Sequence, residues 1–244
     1  NMSESNKRNF IVHGSILAIA GILVRIIGML YRIPVVNIIG SEGNGIYGAA
    51  FNIYNIMLVL SSYGLPMAVS KLVSARFTKK RYKSAAKVLR CSLMVAVCTG
   101  GIAALLVFFG ASFIENVIYG GGLPGLAIPL RILAPTIFLV AILGVIRGFF
   151  QGQSTMIPTA VSQILEQIVN AIVSIAAGYG MMKAFASSPD VAAYGAAGST
   201  LGTAMGALTA VLFMGFLYAV YTPTFNRLKR KDRHTENQST GQIC

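Results

Sequence analysis

Several stretches of this chain are too long and too apolar to be left in water. Residues 43–70, 91–114, 148–165 and 191–226 contain no Asp, Glu, Lys or Arg. Three of these runs exceed the roughly 20 residues with which an α-helix crosses a bilayer. Of all 244 residues, 55% are hydrophobic and only 11% charged, whereas a soluble domain has about 25% charged. The expected class is an all-α integral membrane protein. Strands do not compete, because the runs outlast the roughly 9–11-residue strands of a membrane barrel and lack their apolar–polar alternation. A net charge of +13 invites a nucleic-acid reading, which the apolar runs exclude. Glycine follows no fixed period, and three cysteines are too few for a disulfide framework.

Cys91 and Cys98 lie on one helical face inside an apolar run, with no His or further Cys at metal-ligand spacing, so they read as small packing residues. Cys244 ends a polar tail. Lys7-Arg8 followed by an apolar run ending Ala18-Ile19-Ala20 has the outline of a secretory signal peptide. His13, Gly14 and Ser15 interrupt that run, and the apolar character continues past Arg25 to Gly40, as in a first transmembrane helix.

Apolar windows and their punctuation predict a six-helix transmembrane bundle. The spans fall at about residues 10–33, 46–70, 88–110, 126–149, 158–182 and 192–220, within a lobe of residues 1–222 followed by a basic polar tail, 223–244. Turn-rich breaks at 40–45, 120–125 and 187–190 separate them. Sixteen of the twenty Lys and Arg residues fall on one side of this arrangement: Lys7 and Arg8, the cluster from Lys71 to Arg90, Arg147 in the fourth loop, and the tail from Arg227 to Arg233. The opposite loops hold Glu42, Glu115 and Asp190 against Lys183, and Arg131 begins the fourth span. Because cations stay on the inner side, both termini are expected in the cytoplasm. The basic loop would then anchor to anionic lipid.

Polar residues inside spans carry the functional information, because an ionisable group in the bilayer is costly. Arg25 lies about 20 Å along the first helix at 1.5 Å per residue, deep for snorkelling. Arg32 shares its face near the outer interface. On the fifth helix Gln163, Glu166, Gln167 and Asn170 follow i, i+3, i+4, i+7, with Ser174 a turn further, forming one polar stripe. Either neighbouring helices satisfy that stripe or it lines an aqueous cavity. Asn52 and Asn55 repeat the theme on the second helix, whose Tyr47, Tyr54 and Tyr63 read equally as packing aromatics or ligand contacts. Pro34, Pro66, Pro135 and Pro158 lie in or beside spans, where bent helices can gate a transporter. The only histidines are His13 and His234, too few for a catalytic triad or a His-based metal site. The 40–45 glycines precede no Lys-Ser/Thr and follow no strand, so they are no phosphate loop.

Three stretches near the start, Arg25-Ile-Ile-Gly-Met-Leu-Tyr-Arg-Ile-Pro34, Ile39-Gly-Ser-Glu-Gly-Asn-Gly-Ile-Tyr47 and Tyr63-Gly-Leu-Pro-Met-Ala-Val-Ser-Lys71, resemble the opening of stage V sporulation protein B-like polysaccharide transporters. Arg147-Gly-Phe-Phe-Gln-Gly152 and Met156-Ile-Pro-Thr-Ala-Val-Ser-Gln-Ile-Leu-Glu-Gln167 are similar to the same family's fourth loop and fifth helix. This family sits in the multidrug/oligosaccharidyl-lipid/polysaccharide (MOP) exporter superfamily, alongside the lipid II flippases. The resemblance, over roughly residues 10–220, implies the N-terminal lobe of a MATE/MOP-like two-lobe transporter that rocks around a central cavity. The chain then reads as one lobe of a truncated or frameshifted reading frame.

What the resemblance further implies is a flippase for lipid-linked oligosaccharide or peptidoglycan precursor in the bacterial plasma membrane, not an enzyme. Its substrate would be an undecaprenyl-pyrophosphate-linked glycan. Arg25 matches a cavity arginine linked to the diphosphate in lipid II members, and Arg32 falls about one residue out of register with the next. Gln163, Gln167, Asn170, Asn52 and Asn55 would meet sugar hydroxyls, and Glu166 would neutralise an arginine in the empty state or take part in ion coupling. No cofactor or metal is expected beyond a coupling ion, H+ or Na+, or the membrane potential. The implied partners are the glycolipid, anionic lipid and a second lobe, with no nucleic acid. The alternatives are a cation-coupled multidrug exporter of the same superfamily, a membrane-embedded glycan polymerase or acyltransferase, and an inactive half-transporter.

Overall fold

The computed structural model describes residues 2–233 and is all helical there apart from short turns. Part of the expected tail, with His234 and Cys244, lies outside the described residues. In chain order the elements are α1 (Met2–Ser61), α2 (Leu65–Thr78), α3 (Tyr82–Phe113), a π-helical turn (Ile114–Ile118), α4 (Ala127–Gly152), α5 (Ile157–Ala184) and α6 (Val191–Lys231). Among the described residues, five helical stretches are long and apolar enough to cross a membrane, with α1 running on into α2 as one of them. Lipid offers the backbone no hydrogen-bonding partner, so apolar runs of this length close all their amide bonds internally as helix.

α1 spans two predicted helices, and it is not straight. Gly40 has φ 74° and ψ −179° inside it, a backbone conformation that costs an L-residue steric strain and glycine almost none. The contacts on either side reveal how far the chain turns. The Arg32 guanidinium lies 4.3 Å from the centre of the Tyr47 ring, although fifteen residues of straight helix would separate them by about 22 Å. Asn44 Nδ2 donates to the carbonyls of both Gly40 and Val36, at 2.7 and 3.2 Å. The two arms therefore fold back on each other. The expected loop over 40–45 shrinks to the single residue Gly40, because Asn44 supplies the partner that a longer loop would have sought in water.

The predicted span 46–70 is interrupted. α1 ends at Ser61, and α2 restarts at Leu65 with Pro66 in its first turn, where the missing N–H costs no intrahelical bond. Pro34 and Pro135 instead lie inside α1 and α4. The sixth helix runs past residue 220 to Lys231, so residues 223–231 of the expected tail are helix. Its last turn carries Lys229, Arg230 and Lys231, cations that the negative end of a helix dipole favours. Cys91 is buried while Cys98 is exposed, because neighbouring helices cover only the first of these two turns of α3.

Side chains pack in two layers along the helices. One joins both arms of α1 to α3, α4 and the start of α6 through Val35, Ile46, Leu130, Leu133 and Ile137. The other joins α2, α3, α4 and the far half of α6 around Val73, Phe149, Met214 and Phe225. α5 makes its largest interface with α6, and the seam is made of small residues. A Cβ on Gly202 would lie 2.7 Å from the Asn170 carbonyl, and one on Gly206 would lie 2.6 Å from that of Glu166. Bare backbone on α6 thus lets α5 approach closely, which matters in lipid, where packing contacts rather than water exclusion hold helices together. At the end of the second layer the Asp232 carboxylate accepts the Lys83 N–H at 3.0 Å, tying the end of α6 to the start of α3.

Candidate functional site

The polar stripe on α5 begins one turn after Pro158, which sits in the helix's first turn. Successive members of the stripe meet different neighbours. Glu166 accepts from Arg147 of α4, Nη2 to Oε2, at 2.9 Å, with the two side chains 15% and 27% exposed for Arg147 and Glu166. Arg147 Nε also donates to Ser162 Oγ at 2.9 Å, and Ser162 Oγ donates to the Thr159 carbonyl at 2.8 Å. Gln151 Nε2, a turn beyond Arg147, donates to Thr159 Oγ1 at 3.1 Å. The guanidinium is thus held by a carboxylate and a hydroxyl at once, a charge-assisted arrangement that fixes its plane.

The remainder of the stripe turns towards α1 and α6. Asn170, buried, donates from Nδ2 to the Tyr31 hydroxyl at 3.4 Å and accepts from Ser174 Oγ at 2.8 Å, and that hydroxyl also lies 3.0 Å from the Ser199 carbonyl. The Gln167 side chain lies against Gly28, where a Cβ would stand 3.3 Å from its amide nitrogen. Gln163 lines a cleft of about 300 Å³ with Ser62, Tyr63, Arg147, Gln151 and Thr159, walled by Leu58, Pro66 and Val140. The stripe divides between two surroundings. Asn170 and Ser174 join helices, while Gln163 faces open space.

The other expected residues separate. Arg25 is exposed on α1, and Arg32 is half-buried over the Tyr47 ring. Asn52 and Asn55 are exposed, while Tyr54 between them is buried. Tyr47 is buried as well and Tyr63 is 78% exposed. The arginine that Glu166 meets is therefore Arg147, which its place near a helix end had put among the loop cations. Its guanidinium reaches back from the end of α4 because α5 folds alongside it after the short turn at 153–156. The signal that could have singled it out is the Arg147-to-Gln151 spacing, which sets two long polar side chains on one face of α4 just before the turn. Outside this centre Glu115, expected in a loop, sits in the π-helical turn, and its carboxylate accepts the backbone N–H groups of Gly125 and Ala127 at the start of α4. Arg131 donates to Ser112 Oγ at 3.0 Å. Among the described residues, no three His, Cys, Asp or Glu side chains gather as metal ligands.

A family model described as polysaccharide biosynthesis protein matches residues 11–241. The chain belongs to this family. Lipid II flippase MurJ of Bacillus subtilis (strain 168) is 34% identical over 176 residues, which cover 70% of this chain and 32% of that protein. Stage V sporulation protein B of the same organism is 30% identical over 210 residues, 85% of this chain and 39% of that one. The chain thus spans 32% and 39% of these two relatives' length. A solved MOP superfamily transporter from Pyrococcus furiosus Vc1 (DSM3638) superposes with a TM-score of 0.65 at 18% identity, over 88% of this chain and 45% of that one. The resemblance to stage V sporulation protein B-like polysaccharide transporters holds, and so does the assignment to a multi-pass plasma-membrane protein.

Proposed function

We propose that this chain forms one lobe of a flippase that carries a lipid-linked oligosaccharide or peptidoglycan precursor across the plasma membrane by alternating access. In this reading the two arms of α1, the second continued by α2, cross separately, and α3 to α6 complete six crossings with both termini in the cytoplasm. A second lobe, supplied by the remainder of a longer protein or by another chain, closes the cavity. The observation that carries the reading is the Arg147–Glu166–Ser162 centre at the wall of a cleft that also holds Gln163, inside a member of a polysaccharide-biosynthesis family.

Arg25, with Arg32, binds the pyrophosphate of an undecaprenyl-linked glycan from the cavity side. The exposed Asn52 and Asn55 and the α5 residues Gln163 and Gln167 present amides to the sugars, while Asn170, expected among them, is spent on Tyr31 and Ser174 and joins α5 to its neighbours. Glu166 keeps Arg147 neutralised while the cavity is empty. An anionic head group entering the cleft offers Arg147 a replacement acceptor, and exchanging Glu166 for phosphate changes the relative stability of the two cavity orientations. A coupling ion, H+ or Na+, or the membrane potential, supplies the direction. Anionic inner-leaflet lipid holds the basic α2–α3 end.

Native mass spectrometry of the detergent-solubilised protein with an undecaprenyl-pyrophosphate glycolipid tests this, comparing wild type, Arg25→Ala and Glu166→Gln, with a cationic dye as competitor. Glycolipid retained by wild type and lost on Arg25→Ala is the expected result. Dye binding that depends on Glu166, with no glycolipid bound, would assign the lobe to a drug exporter instead.

A further inference from the structure

A second cavity, of about 590 Å³, lies where the start of α1 meets the α4–α5 turn. Its chemistry differs from that of the Arg147 cleft. The lining residues are Asn6, Asn9, Phe10 and His13, with Gly14, from α1, and Gln151, Ser154 and Met156 from the turn, none of them Asp, Glu, Lys or Arg. That composition stands out because Glu4, Lys7 and Arg8 occupy the same stretch of α1 and line an adjoining surface hollow that shares Asn9 with it. We infer that this cavity is a docking site for a neutral, hydroxyl- or acetamido-bearing sugar, the glycan portion of the substrate as it is loaded. The inference rests on the flippase reading for its biological ligand, and on the cavity for its chemistry.

The polar atoms are oriented for that ligand. The Met156 N–H points to His13 Nδ1 at 3.4 Å, so Nδ1 acts as acceptor and Nε2 is the ring nitrogen left to face the cavity as a donor. Gln151 spends its amide nitrogen on Thr159 Oγ1, which leaves its carbonyl oxygen as an acceptor. Asn6 and Asn9 are exposed amides a turn apart on α1, each with a donor and an acceptor that suit paired hydroxyls. Phe10, 81% exposed, offers an apolar ring for the C–H face of a pyranose. Ser154 is held at φ 63° in the turn, and its hydroxyl completes the wall. A cavity of this size lies within the range of about 300–1,000 Å³ usual for ligand sites. Gln151 lines this cavity and the Arg147 cleft alike, so a sugar held here has its anionic linkage beside the one guanidinium of the adjoining cleft.

The test uses the chain in lipid nanodiscs with N,N′-diacetylchitobiose and maltose as probes, following the His13 ring signals by NMR. At least one sugar is expected to shift them saturably. Asn9→Ala and Gln151→Ala should each weaken that binding at least tenfold. Phe10→Leu, an exchange at an exposed position, should weaken it without altering the helical content. If neither sugar moves the His13 signals, or if the shifts persist unchanged in both alanine variants, the site is overturned. Loss of glycolipid retention on Arg25→Ala combined with no effect of free sugar at His13 would remove this site and leave the flippase reading standing. Sugar binding that depends on Asn9 and Gln151, alongside glycolipid retention indifferent to Arg25, would do the reverse.

Discussion

Removing either partner of the Arg147–Glu166 pair should destabilise the lobe by about 2–3 kcal/mol. Breaking a fully buried ion pair from one side costs about 3–5 kcal/mol, since the remaining charge is left uncompensated. Here the side chains are 15% and 27% exposed, so water shares part of the orphaned charge and the lower range applies. Arg147→Ala lies at its upper end, because it also removes the bond from Nε to Ser162 Oγ. Glu166→Gln keeps an acceptor opposite Nη2 and costs about 1 kcal/mol. The double variant Arg147→Ala/Glu166→Ala strands no charge, so its cost should fall short of the sum of the single alanine variants by about 2 kcal/mol. Unfolding by sodium dodecyl sulfate in bicelles, followed by helical ellipticity, measures all four. Additivity of the two alanine substitutions within about 0.5 kcal/mol would refute the pairing as the reason these residues sit together.

Three further outcomes follow from the packing. Gly40→Ala forces a residue with a Cβ into φ 74°, costing on the order of 1–3 kcal/mol, and should reduce cross-linking between cysteines placed at Arg32 and Tyr47 by a short bifunctional thiol reagent. Gly202→Val drives a side chain into Ser174 and the Asn170 carbonyl and should cost about 3 kcal/mol in the same unfolding assay, whereas Gly215→Val, with nothing within 4 Å of its Cβ, should change stability by under about 1 kcal/mol. Asp232→Ala removes the acceptor for the Lys83 N–H. It should release the end of α6, at a cost of about 1 kcal/mol, seen as faster tryptic cleavage between Arg227 and Lys231.

Much of the helix content is legible in the sequence, because its causes are local. An apolar run in lipid has to close its own hydrogen bonds, and α3, α4 and α5 begin and end within a turn or two of the predicted limits. Errors collected where a boundary depends on a partner. Asn44 bonding back to Gly40 and Val36 shortened the first turn to one residue. The Lys83 N–H on Asp232 accompanies helix continuing through residues 223–231, which the sequence alone places in a polar tail. The stripe on α5 was also legible, since four amide and carboxylate side chains at helical spacing share a face wherever the helix is placed. Its division among Arg147, Tyr31, Gly28 and Ser199 was not, because that depends on how three neighbouring helices are rotated.

The sequence by itself determined that this chain lives in a membrane, that it is built of helices, and that its fifth helix carries a polar face with one carboxylate. Desolvation and periodicity act on each segment alone, so no neighbour is needed to read them. Which cation meets that carboxylate was decided only by the tertiary structure. Arg25 is deep in its helix and Arg147 is near the end of another, so position along the chain favours Arg25. Glycines on α6 let α5 settle close against it, the short turn at 153–156 holds α5 beside α4, and that packing turns Glu166 towards Arg147, leaving Arg25 on the open face of α1.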